Sequence, residues 1–247
     1  MIMVSTLGGS RRVRPHRRVI SSSRHRGFIR ATEPASSLRW MRGARCEYGR
    51  MSDTTRGERF VEVDFYERDL DGARFVDCRF TACDFTEKNL VDVTFEGCAL
   101  FDCRFNDTTL ERVAFTGATL SGCSFAMTTL DGCKMTGSTF ADCGWRHTTI
   151  VGGQWAMVTM RQQKLDGLDF TGARLSDADL SESSLRRTVF ADADLSGATL
   201  RGADLRDADL RGARVDGIDL AQARFAQTRM DVDAALAVAA AQGIVIG

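Results

Sequence analysis

The chain is 247 residues long, 43% hydrophobic and 27% charged, and its 33 basic side chains balance its 33 acidic ones. No run of about 20 apolar residues is present, which excludes a membrane-spanning helix, and three His in the whole chain leave little from which to build a histidine metal centre. The zero net charge hides two opposite segments. Residues 1–50 hold twelve Arg, no Lys and only Glu33 and Glu47, a net +10, whereas residues 51–247 hold 21 basic and 31 acidic side chains, a net −10.

Residues 1–50 show no apolar period, and Arg11-Arg12, Arg17-Arg18 and Ser21-Ser22-Ser23 read as a disordered extension. Three readings compete for it. One is a basic arm for nucleic acid or a membrane surface, and another is an Arg-rich, Ser-rich, acid-poor transit peptide. The third, which we favour, is sequence upstream of a true start at Met51 or Met41. Met51-Ser52-Asp53-Thr54 runs at once into repeats, and thirty Arg against three Lys point to a GC-rich genome.

From Phe60 to Met230 every fifth residue is large and apolar, thirty-five positions without a slip. A strand repeats at two and a helix at 3.6, so a period of five requires a corner in each repeat and a solenoid overall. Two places before each large centre sits a small or medium residue, as at Ala73, Cys83, Thr108 and Ala193. The remaining places are polar or Gly. Residues twenty apart form uniform columns, among them Cys83, Cys103, Cys123 and Cys143, and Thr109, Thr129 and Thr149. Such ladders fit four repeats per coil with coils stacked as parallel strands. Trp145 and Trp155 then fall on opposite sides of one coil, and Gly153 leaves room for the Trp155 ring. Arg68, Lys88, Gln163, Leu168 and Ile218 break the rule for the small inward place. Unless the early coils expose them, Arg68 and Lys88 need Asp64, Asp84 or Glu87 as partners, because burying them unpaired is prohibitive.

Ala203-Asp204-Leu205-Arg206-Asp207 and Ala208-Asp209-Leu210-Arg211-Gly212 are the cleanest copies, and they resemble the pentapeptide-repeat family. The resemblance implies an all-β fold, a right-handed quadrilateral β-helix over 51–230. Thirty-five repeats make about nine coils, or about 40 Å of stacked strands.

Little here can catalyse. There is no phosphate loop, nucleophile elbow or metalloprotease motif, so no enzyme, catalytic residue or cofactor is expected. Seven Cys fall at small inward places, where free thiols pack as small hydrophobes. A Cys78/Cys83/Cys98/Cys103 zinc site fails because residues five apart lie on neighbouring faces. Reduced core thiols point to a cytoplasmic protein.

After Met230, residues 231–247 change character. Asp231 and Asp233 precede Ala234–Ala241, then Gly243 and Ile244–Ile246, which predicts a capped helix followed by a terminal strand covering the open end of the solenoid. This tail resembles the ends of the bacterial Qnr and MfpA groups of pentapeptide-repeat proteins. The resemblance implies a homodimer through Leu236, Val238, Ala239, Ile244, Val245 and Ile246. It also implies a mimic of duplex DNA that binds DNA gyrase, inhibits it or protects it from quinolones, and so confers fluoroquinolone resistance.

The acids expected to face that partner cluster in the C-terminal repeats: Asp177, Asp179, Glu182, Asp192, Asp194, Asp204, Asp207, Asp209 and Asp219. By face, the side centred on Leu70, Leu90 and Leu110 is the most negative. The repeat domain itself is not expected to bind nucleic acid. Two alternatives stand beside the gyrase reading: an interaction scaffold for a different partner, and a nucleic-acid binder working through the Arg-rich arm.

Overall fold

The computed structural model describes residues 54–241 and 243–245; the expectations for residues 1–50 and for Ile246 fall outside them. Two residues after each centre the backbone turns left-handed, from Gly57 to Gln227 in every repeat except at Glu67. Gly and Asp are common there, since they tolerate positive φ best. Each corner sends the chain to the next side, so four faces arise, with centres in the series Phe60/Phe80, Phe65/Phe85, Leu70/Leu90 and Phe75/Phe95. We call these the first to fourth faces.

Coils stack in parallel at a register of twenty, as in Thr109↔Thr129↔Thr149 and Phe60↔Phe80↔Leu100. The first face carries a five-stranded sheet from Arg59–Val61 to Thr139–Ala141, and the third a four-stranded one from Asn89–Val91 to Thr149–Val151. Strands therefore run over about five turns, fewer than the nine coils counted from the repeats. Beyond Val151 the same register continues as single bridges to Asp209↔Arg229. The difference lies in the corners. From Leu168 onward successive repeats close a β-turn, such as Ala173 N–H to Phe170 O and Ala203 N–H to Leu200 O, both 3.0 Å. Its positive φ at the third turn residue is the type II signature. Tighter corners, most of them with Ala at the small place, leave one bridging residue per side.

Of the thirty-five centres, all but Val215, Phe225 and Met230 are buried. Phe65, Phe85, Phe105, Phe125 and Trp145 stack with ring centroids 4.5–5.1 Å apart. The small inward place also has a polar task. Thr108 Oγ1 donates to Phe85 O (2.7 Å), Thr148 to Phe125 O (2.7 Å) and Thr188 to Leu165 O (2.9 Å), always a centre carbonyl of the coil before. Buried Cys83, Cys98, Cys123, Cys133 and Cys143 direct Sγ at the equivalent carbonyl.

Oversized inward residues break the ladder. Lys88 Nζ donates to the Tyr66 and Arg68 carbonyls (3.0 and 2.7 Å), and the Arg68 guanidinium lies 5.4 Å from the Phe65 ring centre. Carbonyls and a ring thus take the place of the acids expected as partners. Farther on, among the described residues, no backbone hydrogen bond joins 142–152 to 161–171. Gln163 Oε1 accepts the Cys143 N–H instead (3.1 Å).

The last coil is covered by the helix Val232–Ala241. Ala234 is buried and Val238 packs on the core beside Leu210, Leu220 and Met230. Gly243 (φ +77°) ends the helix: its N–H donates to Ala240 O and that of Ile244 to Ala239 O, the paired bonds of a Schellman motif. Ile244 and Val245 form no strand within the chain. Nor does the Asp231 carboxylate cap the helix, since it accepts the Gly212 N–H of the coil before (2.6 Å).

Candidate partner-binding surface

The nine acids expected to face a partner do not share a side. A twenty-residue coil sends neighbours in sequence to different faces, so Asp179, Glu182 and Asp219 lie on the first, Asp204 and Asp207 on the second, Asp192 and Asp209 on the third, and Asp177 and Asp194 on the fourth. Five of them serve the backbone. Asp179, Asp194, Asp204, Asp209 and Asp219, each one place before a centre, accept the N–H two residues ahead in an Asx turn. Asp204 and Asp209 are also nearly buried beneath bidentate Arg206 and Arg211. Hydrogen bonds from those guanidinium groups hold both carboxyls down to about 2. Asp177, Glu182, Asp192 and Asp207 remain exposed, each at a corner.

Charge accumulates on the third face, where nine acids (Asp69, Asp71, Asp92, Glu111, Asp131, Asp169, Asp192, Asp209 and Asp231) stand against Arg112, Arg211 and Arg229. Arg112 is taken by Asp92 and Glu111, and Arg211 by Asp209. Among the described residues Asp69, Asp71, Asp131, Asp169, Asp192 and Asp231 join no ion pair. They span eight coil steps, about 40 Å. Five of these six were missed by searching for clusters along the chain; sorting acids by position within the twenty-residue coil would have found them.

At the C-terminal end Leu236 is 43% exposed, Ile244 57% and Val245 94%, while Val238 and Ala239 are half-buried. No helix among the described residues is long and apolar enough to cross a membrane.

The family described as "Pentapeptide repeats (8 copies)" matches over 158–190, 169–207 and 203–231, and "Pentapeptide repeat region" matches over 59–125. No curated protein matches the chain. Similar solved structures include HetL, a pentapeptide-repeat protein involved in heterocyst differentiation regulation in the cyanobacterium Nostoc sp. strain PCC 7120. It is 22% identical over 74% of this chain and 92% of its own, with a TM-score of 0.49. Full-length QnrB1, a plasmid-mediated fluoroquinolone resistance protein, is 16% identical over 78% of this chain and 100% of its own, with a TM-score of 0.38. A pentapeptide-repeat protein from the Arabidopsis thaliana thylakoid lumen is 22% identical over 51% of this chain and 70% of its own, with a TM-score of 0.22. With its unbroken five-residue period, its four-sided coil and family matches over most of the repeats, the chain belongs to the pentapeptide-repeat family.

Proposed function

We propose that the protein binds DNA gyrase, or a related type II topoisomerase, by presenting its third face where the enzyme receives duplex DNA, and so guards it from quinolones or other gyrase poisons. The observation that carries this reading is the row of six acids outside any ion pair down one side of the parallel coil stack. The likeness of the tail to the Qnr and MfpA ends supports it, and Asp207 adds acid at the corner that the second face shares with the third. In the same reading a second copy docks at the C-terminal end through Leu236, Ile244 and Val245, which doubles the length of the mimic. Light scattering should then give a dimer for the wild type and a monomer for L236D.

Charge density favours a second reading. A duplex carries a charge every ~1.7 Å, whereas this face offers one unpaired acid per ~7 Å, from the ~4.8 Å coil spacing. A scaffold for another partner needs no more than that.

The test is gyrase supercoiling and drug-induced cleavage with the full chain titrated in, at two salt concentrations. A variant with Asp69, Asp71, Asp131, Asp169 and Asp192 changed to Asn serves as the comparison. The expected result is inhibition or protection that weakens with salt and by about tenfold or more in the variant, since charged steering is screened. No effect at micromolar protein would leave the scaffold reading, and an equal effect from both proteins would move the gyrase-binding surface off the third face.

A further inference from the structure

The break between 142–152 and 161–171 has a definite shape. Across it, the first face stays joined by Thr139↔Thr159 and Phe140 N–H to Thr159 O (2.8 Å), and the fourth by Gln154↔Arg174 and Trp155 N–H to Arg174 O (2.7 Å). The second and third faces lose every backbone rung at this level, although the levels on either side keep theirs, as in Phe125 N–H to Gly144 O and Leu165 N–H to Ser184 O. The two open faces are adjacent, so the coils part at the corner near His147 and stay tied along the opposite edge.

The cause can be read from two residues. Gln163 and Leu168 occupy the small inward places of the second and third faces in the coil just past the break, where the next two repeats have Ala173 and Ala178. Gln163 is buried, with its amide inserted between the coils: Oε1 accepts from Cys143 N–H, and Nε2 donates to Arg161 O (3.1 Å). Leu168 adds branched bulk beneath the third face. The core on the near side is less well sealed as a result. Cys143, Trp145, Thr148 and Ile150 are 6–9% exposed, against 0–1% for Cys123, Phe125, Thr128 and Leu130 one coil earlier. Trp145 Nε1 is buried without an acceptor.

We infer that the solenoid is a hinged rod: two rigid stacks of coils, meeting between the Trp145 and Leu165 levels, flex about the edge where the fourth and first faces join. Backbone hydrogen bonds are what make a parallel stack stiff, and here half of each coil has none across the joint. Gln163 and Leu168 act as the wedge that keeps the joint from closing.

Hydrogen exchange on the full chain tests the joint directly. Peptides from 142–152 should exchange about tenfold or more faster than those from 122–132, because open rungs exchange without unfolding. Placing Ala at both wedge positions (Q163A/L168A) should restore protection. Spin-label distances supply the direction of flexing. Labels at E87C/R187C straddle the opening edge and labels at D77C/D177C the hinge edge, both five coils apart, with Cys46 changed to Ser. The distribution should be broader for the first pair, and Q163A/L168A should narrow it. Equal exchange in the two peptides, or equally narrow distributions at the two edges, would overturn the hinge. Both comparisons are made in the wild-type core, so they hold even if the wedge variant folds poorly; a folded wedge variant with unchanged exchange would overturn the wedge.

Discussion

Gly153 is a position where the core leaves no room for a side chain. Its φ is +97°, and a Cβ there would stand 2.7 Å from the Cys133 carbonyl oxygen and 3.1 Å from Trp155 Nε1. Trp155 is fully buried, with its Nε1–H held by the Gly152 carbonyl (3.2 Å), so the ring cannot swing aside. The neighbouring Gly152 is the natural control: φ is +60° and a Cβ would meet nothing within 4 Å. Gly152→Ala should therefore cost only the left-handed conformation, about 1–2 kcal/mol. Gly153→Ala carries a similar penalty and must also push backbone or ring away, a further ~1–3 kcal/mol. At ~2–4 °C per kcal/mol for a domain of this size, the two variants should melt about 2–12 °C apart, with Gly153→Ala the lower. Circular dichroism melts at neutral pH decide it. Coincident melting curves would mean that the Trp155 ring does not lie against this place, and the inward assignment of both residues would fall.

Three other outcomes are expected. Thr128→Val keeps shape but removes the hydroxyl that donates to the Phe105 carbonyl; urea unfolding should show a loss of about 1–3 kcal/mol, the penalty for a buried unpaired acceptor. Asp204 and Asp209 sit near 2 when folded, below the ~3.9 of an unfolded Asp, so their stabilising effect is complete above ~4 and disappears as pH falls through ~2. Melting temperature between pH 5 and pH 2.5 should accordingly drop less steeply in D204N/D209N than in the wild type, and parallel profiles would contradict the Arg206 and Arg211 pairing. Burial pushes the Cys133 thiol up to about 12, and all seven repeat cysteines are buried. With Cys46 changed to Ser, an aromatic disulfide reagent at pH 8 should titrate them only after denaturant is added; rapid reaction of the native protein would show the core to be open.

The period of five, the four faces and the Gly153–Trp155 contact were legible in the sequence because each rests on one rule repeated at every coil, that a large and a small residue point inward. Positions that break this rule, Arg68, Lys88, Gln163 and Leu168, were legible as irregular. Their consequence was not, because a missing backbone rung depends on how far a side chain forces two coils apart. How the acids distribute over the faces was hidden for a different reason. Asp179 and Asp204 look like plain surface charge in a polar repeat, yet both also accept a backbone N–H, as Asp69 and Asp169 do. Asp69 and Asp131 lie sixty-two residues apart and share a face only after three turns. The shortening of strands to single bridges past Val151 likewise depends on how tightly each corner closes, which the choice of Ala over Cys indicates only in hindsight.

The twenty-residue register gives insertions and deletions an unusual grammar. Nearly every repeat presents one large and one small residue inward, so losing five residues keeps the core in phase. The surface is another matter: each downstream side chain falls back by a quarter turn. Removing one repeat between Asp131 and Asp169 would carry Asp169 and Asp192 round to the second face, away from Asp69 and Asp71. Only a loss of twenty restores the alignment. The core is thus read in fives and the surface in twenties, so a lineage can re-aim half of its charged exterior in one deletion while keeping the period that builds the core.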